Sequence, residues 1–351
     1  MFDITLDDDQ TADNNLLTGA ANIHSPDTIH DPVNGLTPFN RGYAMTLTPI
    51  SLSAPAKINL FLAVTGKRSD GYHELFTLMC PLTLSDTITI VPTQREISVS
   101  CTDPDVPEDE TNLAHQAARL FLSRWAREKN KRPSGVHMVI KKRIPVAAGL
   151  GGGSSNAAAV FMGLNRMAGK PFGRNSLMVM ALSVGADVPF FIGRHPAIAT
   201  GIGEILKPVV GLVPVPVLLV CPPIRISTAI VYQNLKLRLT KCQQRLKNIT
   251  LHPEVEREHF RSDTVENHLC NDLETVTALQ YPVIETIKQA LLAGGATGAL
   301  MSGSGPTVFG LFRDKAVAQD AFINLSRNRD WRVFKTELVV GASSSGKDTG
   351  F

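Results

Sequence analysis

Apolar residues alternate with other residues along several short stretches of the chain, and this period of two is typical of β-strands. In the clearest case, one row consists of Ile58, Leu60, Leu62 and Val64 and the other of Lys57, Asn59, Phe61 and Ala63. The alternation predicts a strand on which Lys57 and Asn59 project from the face opposite the aliphatic row. A cation and an amide are therefore expected side by side.

Short strands and amphipathic helices are mixed along the rest of the chain. Further strands are predicted at residues 87–91, 97–101, 136–140, 307–312 and 333–340. Apolar residues recur at helical spacing at residues 113–121, 157–164 and 284–291, and a charged helical stretch is expected at 228–279. No regular strand–helix alternation is present, so the pattern favours an α+β fold over a doubly wound parallel sheet.

The two ends of the chain show neither period. Residues 1–43 are rich in Asp, Asn, Thr and Gly, and residues 341–351 are rich in Ser and Gly. We interpret them as a flexible acidic arm and a flexible tail. A length of 351 residues suits one large or two medium domains. We place the boundary near residues 206–215, which divides the body into domains at 44–210 and 211–340.

Composition limits the class of protein. A hydrophobic fraction of 43% and a charged fraction of 19% suit a packed globular chain and argue against general disorder. The longest apolar run, residues 209–221, is broken by Pro214 and Pro216 and is shorter than the roughly 20 residues of a membrane helix. The five cysteines are odd in number and scattered, against a disulfide framework or a structural zinc site. We expect a soluble, cytoplasmic protein.

Charge is distributed unevenly. The net charge of +3 is too small to indicate a nucleic-acid partner, but residues 1–43 carry −6 and the remaining chain carries +9. A basic body suits an anionic small substrate, and a solvated basic surface explains the surplus nearly as well.

The strongest local signal is the glycine-rich segment at residues 145–156, Pro-Val-Ala-Ala-Gly-Leu-Gly-Gly-Gly-Ser-Ser-Asn. Four glycines in five positions let backbone N–H groups converge, and the helix that follows adds its own unpaired N–H groups. Together they predict a phosphate-binding loop. Ser154 and Ser155 begin the helix and are candidates to ligate Mg²⁺ carried by a nucleotide. A flexible linker is the alternative, but linkers are rarely bounded by a strand and an amphipathic helix.

A second glycine-rich segment, residues 341–348, has the spacing of a Walker loop and is rejected. Asp348 stands where Ser or Thr is required, and only three residues follow it. No helix can form there to hold a phosphate.

Two charged residues have alternative interpretations. Lys57 is a positioned cation if the strand is buried, although a lysine at the start of a strand is usually solvated. Asp187, within Gly-Ala-Asp-Val-Pro-Phe-Phe at residues 185–191, is either a helix cap or a catalytic base. The residues alone leave both questions open.

Two further segments combine turn residues with functional groups. Asp-Gly-Tyr-His-Glu at residues 70–74 offers an aromatic ring and an imidazole, or is an ordinary turn with an exposed tyrosine. Met-Ser-Gly-Ser-Gly-Pro-Thr at residues 301–307 links a helix to a strand with small residues. Those small residues permit close approach to another loop or a ligand, although a tight turn alone explains them.

Taken in order along the chain, these motifs resemble those of the superfamily of galactokinase, homoserine kinase, mevalonate kinase and phosphomevalonate kinase (GHMP kinases). The motifs are Pro-Ala-Lys-Ile-Asn-Leu at 55–60, Gly-Leu-Gly-Gly-Gly-Ser-Ser-Asn at 149–156, Gly-Ala-Asp-Val-Pro at 185–189 and Ser-Gly-Ser-Gly at 302–305. Within the superfamily, the Asp-Gly-Tyr-His segment and the triple glycine resemble the family that phosphorylates 4-diphosphocytidyl-2-C-methyl-D-erythritol. The resemblance covers residues 53–312 and the final strand.

The resemblance implies an ATP-dependent kinase that phosphorylates the 2-hydroxyl of this cytidylyl substrate in the non-mevalonate isoprenoid pathway. It implies Asp187 as the catalytic base and Lys57 as its partner, with Asn59 on the methylerythritol part. Tyr72 and His73 match the positions that recognise cytosine. Asn112 matches the position near the adenine. The ATP phosphates would bind Pro145, Val146, Ala147, Ala148, Gly149, Leu150, Gly151, Gly152, Gly153, Ser154 and Ser155, and the loop would be supported by Ser302, Gly303, Ser304 and Gly305.

The implied fold has an N-terminal domain like the second domain of ribosomal protein S5 and a ferredoxin-like C-terminal domain, with the active site between them. The implied partners are ATP, Mg²⁺ and the small-molecule substrate, with no nucleic acid or membrane, in a monomer or homodimer. Two features depart from the family: Ala147 and Ala148 stand where glycine or other small residues are expected, and the acidic arm is unusual.

Four alternatives compete with this hypothesis. A kinase of the same fold with homoserine, mevalonate or a sugar as acceptor would not need the segment at 70–73. A ligand sensor without turnover is disfavoured by the presence of both Lys57 and Asp187. An RNA-binding module is disfavoured because the basic cluster at residues 124–132 lacks interleaved aromatic residues. A dinucleotide oxidoreductase lacks the acidic residue about 20 positions after the glycine loop.

Overall fold

A computed structural model of the chain describes residues 48–94, 96–129, 135–236, 242, 246 and 265–340. The predicted arm at 1–43 and the predicted tail at 341–351 lie outside the described residues. So does most of the interior of the helical stretch expected at 228–279.

Eleven strands and eight α-helices are present in the described chain. The strands are β1 (Ile50–Lys67), β2 (His73–Thr93), β3 (Ile97–Cys101), β4 (Gly135–Lys141), β5 (Ala197–Gly201), β6 (Ile205–Pro208), β7 (Pro216–Cys221), β8 (Cys270–Asn271), β9 (Gly298–Met301), β10 (Val308–Leu311) and β11 (Arg332–Glu337). The helices are α1 (Leu113–Lys129), α2 (Gly152–Met167), α3 (Arg174–Val184), α4 (Val188–Gly193), α5 (Thr228–Asn234), α6 (Glu274–Gln280), α7 (Val283–Ala293) and α8 (Lys315–Leu325). The predicted strand at 87–91 is thus one part of the much longer β2.

The first sheet has the strand order β3-β4-β2-β1-β8, and β5 and β6 extend it from β2. Strands β1 and β2 form a long antiparallel pair at its centre. Helices α1 to α4 pack on one face, because their apolar stripes and the apolar residues of β2 and β4 belong to the same buried cluster.

The second sheet has the order β11-β7-β10-β9, and its strand pairs are all antiparallel. Its chain order, with helices between β7 and β9 and between β10 and β11, is that of a ferredoxin-like unit. One of its faces packs on the first sheet, where Ile58 and Leu60 share a buried cluster with Leu219 and Phe309. Helices α7 and α8 cover the other face. The described chain is therefore layered as helices, sheet, sheet, helices.

A β-bulge interrupts β1 at the point where the sequence predicted an unbroken alternation. Asn59 pairs with Met79 but Phe61 pairs with Leu78, so the register shifts between them. Beyond the shift, Phe61 lies in the inter-sheet cluster with Ile58, whereas Leu62 lies in the cluster under α7 and α8. The single aliphatic row predicted for residues 58–64 is therefore wrong, because one extra residue in β1 reverses which face the side chains from Phe61 to Val64 occupy.

These features confirm an α+β fold with mixed strands and helices. None of the described helices has the length and apolarity needed to cross a membrane. Strand β8 joins the first sheet although it follows β7 in the chain. We keep 44–210 and 211–340 as proposed domain limits.

Candidate active site

A cleft of about 960 Å³ lies where the centre of β1, the glycine loop, the start of α4 and the turn between β9 and β10 meet. The residues assigned from the sequence to ATP, substrate and catalysis line it, apart from Ser155. Ser155 and Ser302 lie just behind the lining and are fully buried. The fold thus brings together segments that are far apart in the chain.

Lys57 is buried in the floor of the cleft, with 6% of its surface exposed. Its Nζ donates a hydrogen bond to Asn59 Oδ1 at 2.7 Å and lies 3.7 Å from Asp187 Oδ2. Its backbone N–H donates to the Leu150 carbonyl at 3.0 Å, which ties β1 to the glycine loop. The solvated-lysine interpretation is therefore wrong, and the cation is held in place by its neighbours.

Asn59 owes its orientation to the β-bulge. Its Nδ2 donates to Thr77 Oγ1 at 2.8 Å, and the Thr77 hydroxyl donates in turn to the Phe61 carbonyl at 2.6 Å. That carbonyl follows the register shift of the strand. The chain of hydrogen bonds fixes which way the amide points, so that its oxygen faces Lys57.

Asp187 immediately precedes α4, yet its side chain accepts no capping hydrogen bond from that helix. The carboxylate is about one third exposed, in contrast to the buried Lys57 beside it. Helix capping therefore does not explain this residue. Its carboxylate faces the cleft and is free to meet a ligand.

The glycine loop owes its shape to left-handed backbone conformations. Gly149 has φ 76° and Gly151 has φ 69°, which side chains other than glycine rarely adopt. A Cβ atom at Gly149 would lie 2.2 Å from the Ser302 carbonyl oxygen, so another element approaches there directly. Helix α2 begins at Gly152, two residues earlier than the serines expected to begin it. Its N-terminus faces the cleft and favours an anion.

The two alanines that depart from the family pattern occupy different environments. Ala147 is exposed and has φ 52°, a conformation that favours glycine. Ala148 is buried within the inter-sheet cluster, and its carbonyl accepts the Thr307 N–H at 3.4 Å. The methyl group of Ala148 therefore packs into the core.

The turn at residues 302–305 contacts the glycine loop directly. Ser302 Oγ donates to the Gly149 carbonyl at 3.0 Å. Asn271 Nδ2 holds the turn from below by donating to the carbonyls of Met301 at 2.9 Å and Gly303 at 2.7 Å. Ser304 Oγ lies 2.8 Å from Thr228 Oγ1, at the start of α5. The second sheet thereby braces a loop that belongs to the first.

Asn112 lines the cleft but uses its side chain locally. Its Oδ1 accepts the Ala114 N–H at 2.9 Å, which caps α1, and its Nδ2 donates to the Pro107 carbonyl at 2.6 Å. The residue therefore fixes the cleft wall formed by residues 106–113.

Tyr72 and His73 lie at the other end of the cleft, beside the turn between β1 and β2. Asp70 Oδ1 accepts the Tyr72 N–H at 3.1 Å, and the Tyr72 side chain is 60% exposed. The His73 ring stacks on the Tyr232 ring with centroids 5.2 Å apart. Burial, and then the charge of Lys67, lower the pKa of His73. A neutral imidazole is therefore available near neutral pH.

Sequence reasoning missed Tyr232, which comes from α5. The side chain is partly buried, and this burial together with the Asp187 carboxylate raises the pKa of the phenol. It therefore stays protonated. No motif surrounds it, and its apolar setting in α5 looks like any amphipathic helix.

A buried ion pair next to the glycine loop was also missed. Asp86 in β2 is fully buried and accepts a hydrogen bond from Lys142 Nζ at 2.6 Å. Lys142 lines the cleft, and its Nζ would lie 2.8 Å from a Cβ atom at Gly152. An acidic residue inside an alternating strand was the available signal.

Comparisons with known proteins agree with this geometry. The model for the N-terminal domain of GHMP kinases matches residues 112–194, and the model for their C-terminal domain matches residues 258–328. The homoserine kinase from Cytophaga hutchinsonii has the same fold, with a TM-score of 0.65 at 15% identity over 85% of this chain and 96% of that one. Fold and site therefore define the class, a small-molecule kinase of the GHMP type.

More similar relatives narrow the class. The 4-diphosphocytidyl-2-C-methyl-D-erythritol kinase of Syntrophotalea carbinolica is 48% identical over 82% of this chain and 99% of that protein. The kinase of the same name from Acetivibrio thermocellus is 42% identical over 83% and 99%. A crystal structure of 4-(cytidine 5'-diphospho)-2C-methyl-D-erythritol kinase matches with a TM-score of 0.68 and 34% identity, over 83% of this chain and all of that one. The chain belongs to the 4-diphosphocytidyl-2-C-methyl-D-erythritol kinase family, and it is a kinase with ATP as its co-substrate.

Proposed function

We propose that the cleft holds ATP and 4-diphosphocytidyl-2-C-methyl-D-erythritol together. Asp187 and Lys57 would catalyse the transfer of the γ-phosphate from ATP to the 2-hydroxyl of the acceptor. The reaction is a step in the non-mevalonate supply of isoprenoid precursors. One observation supports the assignment of these two residues: the Asp187 carboxylate faces the cleft and lies 3.7 Å from the buried, hydrogen-bonded ammonium of Lys57.

The proposed chemistry needs a base and a positive charge. Asp187 accepts the proton of the acceptor hydroxyl, which lets the oxygen attack the γ-phosphorus as the bond to the β-phosphate oxygen breaks. Lys57 lies 3.7 Å from this carboxylate and offsets negative charge at the transferring oxygens. Asn59 holds the Lys57 ammonium and offers its amide to the methylerythritol part. Most of the remaining rate enhancement in phosphoryl transfer comes from positioning and electrostatics.

Nucleotide binding is assigned to the loop from Pro145 to Ser155. Its left-handed glycines and the start of α2 turn N–H groups toward the cleft, where phosphate oxygens would accept them. Asn112 would lie near the adenine, because it fixes the cleft wall at the far side of the loop. Residues 302–305 would keep the loop in this shape.

Mg²⁺ is part of the proposal as a companion of ATP. Ser154 lines the cleft, and the buried Ser155 Oγ has no hydrogen-bond partner. Hydroxyl oxygens at the start of α2 suit a hard cation that takes most of its ligands from phosphates and water. The cation would neutralise charge on the phosphates.

We further propose a cytoplasmic location, where Mg-ATP is available, and either a monomer or a homodimer.

The acceptor is assigned by the aromatic end of the cleft. Tyr72 and His73 would recognise cytosine by ring contact and hydrogen bonding, and the Tyr232 ring stacked on His73 extends the same apolar surface. An acceptor without a nucleobase, such as homoserine or mevalonate, has no use for this set of rings.

A coupled ADP-release assay with Mg-ATP tests the function. The purified chain is offered 4-diphosphocytidyl-2-C-methyl-D-erythritol, mevalonate, homoserine and galactose in parallel. We expect turnover with the cytidylyl substrate alone. Turnover with another acceptor would refute the assignment of Tyr72 and His73. Binding of ATP without turnover on any acceptor would favour a ligand sensor.

A further inference from the structure

The glycine loop is bracketed by two short segments that contact the same carboxylate. The loop runs from Pro145 to Ser155, and Asp86 lies behind it in β2, with no exposed surface. Asp86 Oδ1 accepts the backbone N–H groups of Arg143 at 2.7 Å and Ile144 at 2.9 Å. These are the last two residues before the loop.

The other oxygen of Asp86 contacts the far end of the loop. Oδ2 accepts a hydrogen bond from Asn156 Nδ2 at 2.9 Å, and Asn156 is the first residue after the loop. The same oxygen accepts Lys142 Nζ at 2.6 Å. One carboxylate thus receives four hydrogen bonds, which is about the full capacity of its lone pairs.

The energetic cost of burying the ion pair between Lys142 and Asp86 indicates that its location in the fold is important. Lys142 and Asp86 are 5% and 0% exposed, and a buried ion pair loses more hydration than surface pairs do. A buried pair is therefore weak evidence for stability and better evidence for a fixed geometry. Here the fixed geometry is the separation between the residues that flank the loop, Ile144 before it and Asn156 after it.

We infer that Asp86 is a positioning residue for the nucleotide, because it holds both ends of the phosphate loop to the central strand β2. The loop N–H groups are then aimed at the phosphates before ATP arrives, so binding does not have to order them. Asp86 itself does not line the cleft and acts through Lys142, Asn156 and the loop backbone. The inference rests on the proposed function only in that ATP occupies this loop.

The test measures nucleotide and acceptor affinities separately. In Asp86→Asn, an amide NH₂ group replaces the oxygen that accepts hydrogen bonds from Lys142 and Asn156, so these two donors lose their acceptor. We expect the Kd for ADP by calorimetry and the KM for ATP to rise about tenfold, with the KM for the acceptor unchanged. Asn156→Ala keeps the ion pair between Lys142 and Asp86 and removes one hydrogen bond to Asp86. We therefore expect the Kd for ADP to rise about threefold.

A matched control separates positioning from general stability. Asp272→Asn also alters a buried aspartate that accepts backbone N–H groups, those of Val64 at 2.9 Å and Cys242 at 3.1 Å. It should lower the melting temperature without changing the Kd for ADP. If Asp86→Asn also changes only the melting temperature, the inference is wrong. If Asp86→Asn does not fold, an unchanged Kd in Asn156→Ala overturns it instead.

The ADP measurement keeps the two proposals apart. A wild-type protein that binds ADP but phosphorylates no acceptor would refute the proposed function, and the Kd values of the variants would still test Asp86.

Discussion

The two ends of the cleft, which we propose hold the nucleotide and the acceptor, are built in different ways. The glycine loop is held from below by Asp86 and from above by Ser302, and its backbone uses left-handed conformations where another element approaches within contact. The acceptor end is the tip of the β1–β2 pair, where Tyr72 is 60% exposed and His73 touches Tyr232 by ring stacking.

The difference follows from what each end has to do. Phosphate binding requires several N–H groups to converge on a small charged target, and a misplaced loop loses all of them together. Recognition of a flat base needs a few aromatic faces, which tolerate adjustment. The homoserine kinase from Cytophaga hutchinsonii shares the fold at 15% identity, so the fold by itself does not specify the acceptor.

The largest effect is expected where the two ends meet. Asp187→Asn removes the proposed base but no capping hydrogen bond, so kcat should fall about 10²- to 10⁴-fold while ADP affinity and melting temperature are kept. Steady-state kinetics and calorimetry check this. Asp320→Asn, on an exposed position of α8, serves as the control. A variant with wild-type kcat would remove Asp187 from the chemistry.

The rigid end should not tolerate a single methyl group. Gly149→Ala places a Cβ atom 2.2 Å from the Ser302 carbonyl at a φ of 76°, and we expect a loss of about 1–3 kcal/mol in stability and a raised KM for ATP. Urea unfolding and ATP kinetics measure both. Gly173→Ala is the control, because its φ is −70° and nothing lies within 4 Å of the added Cβ. Equal behaviour of the two variants would contradict a fixed loop.

The adaptable end should respond in affinity alone. Tyr72→Ala and His73→Ala each remove an aromatic face, and base stacking on such a face contributes about 1–3 kcal/mol. We expect the KM for the cytidylyl acceptor to rise about tenfold, with the KM for ATP and the melting temperature unchanged. Tyr72→Phe keeps the ring and should stay near wild type. An unchanged acceptor KM in the alanine variants would mean that cytosine binds elsewhere.

The smallest effect concerns pH. Burial and Lys67 lower the pKa of His73 below its ordinary value of 6.5, so the folded protein keeps a neutral imidazole until the pH falls through that lowered pKa. The KM for the acceptor should therefore be constant down to a pH of about 6.5 and rise only below it. Titration of the His73 ring by NMR provides the direct measurement. Lys67→Gln removes one cause and should shift the titration to higher pH.

Local sequence patterns predicted the elements of the fold well where one period dominates. The strand at residues 97–101 is present with the predicted limits, and the helical segments at 113–121 and 157–164 lie within the longer helices α1 and α2. The start of α2 was placed two residues late, since the helix already begins at Gly152, directly after the left-handed Gly151. The alternation of residues 57–64 failed at the bulge, because a register shift depends on the partner strand and leaves no trace in the period.

The sequence by itself determined the properties of residues that lie close together in the chain. Glycines at 149 and 151 allow backbone angles that other residues resist, and Lys57 and Asn59 stand two apart on one strand. Only the tertiary structure decided which distant groups meet: Lys57 with Asp187, Asp86 with both ends of the loop, and His73 with Tyr232. Periodicity indicates which face of a strand or helix a residue occupies, whereas contacts between distant residues depend on how the two sheets and their helices pack.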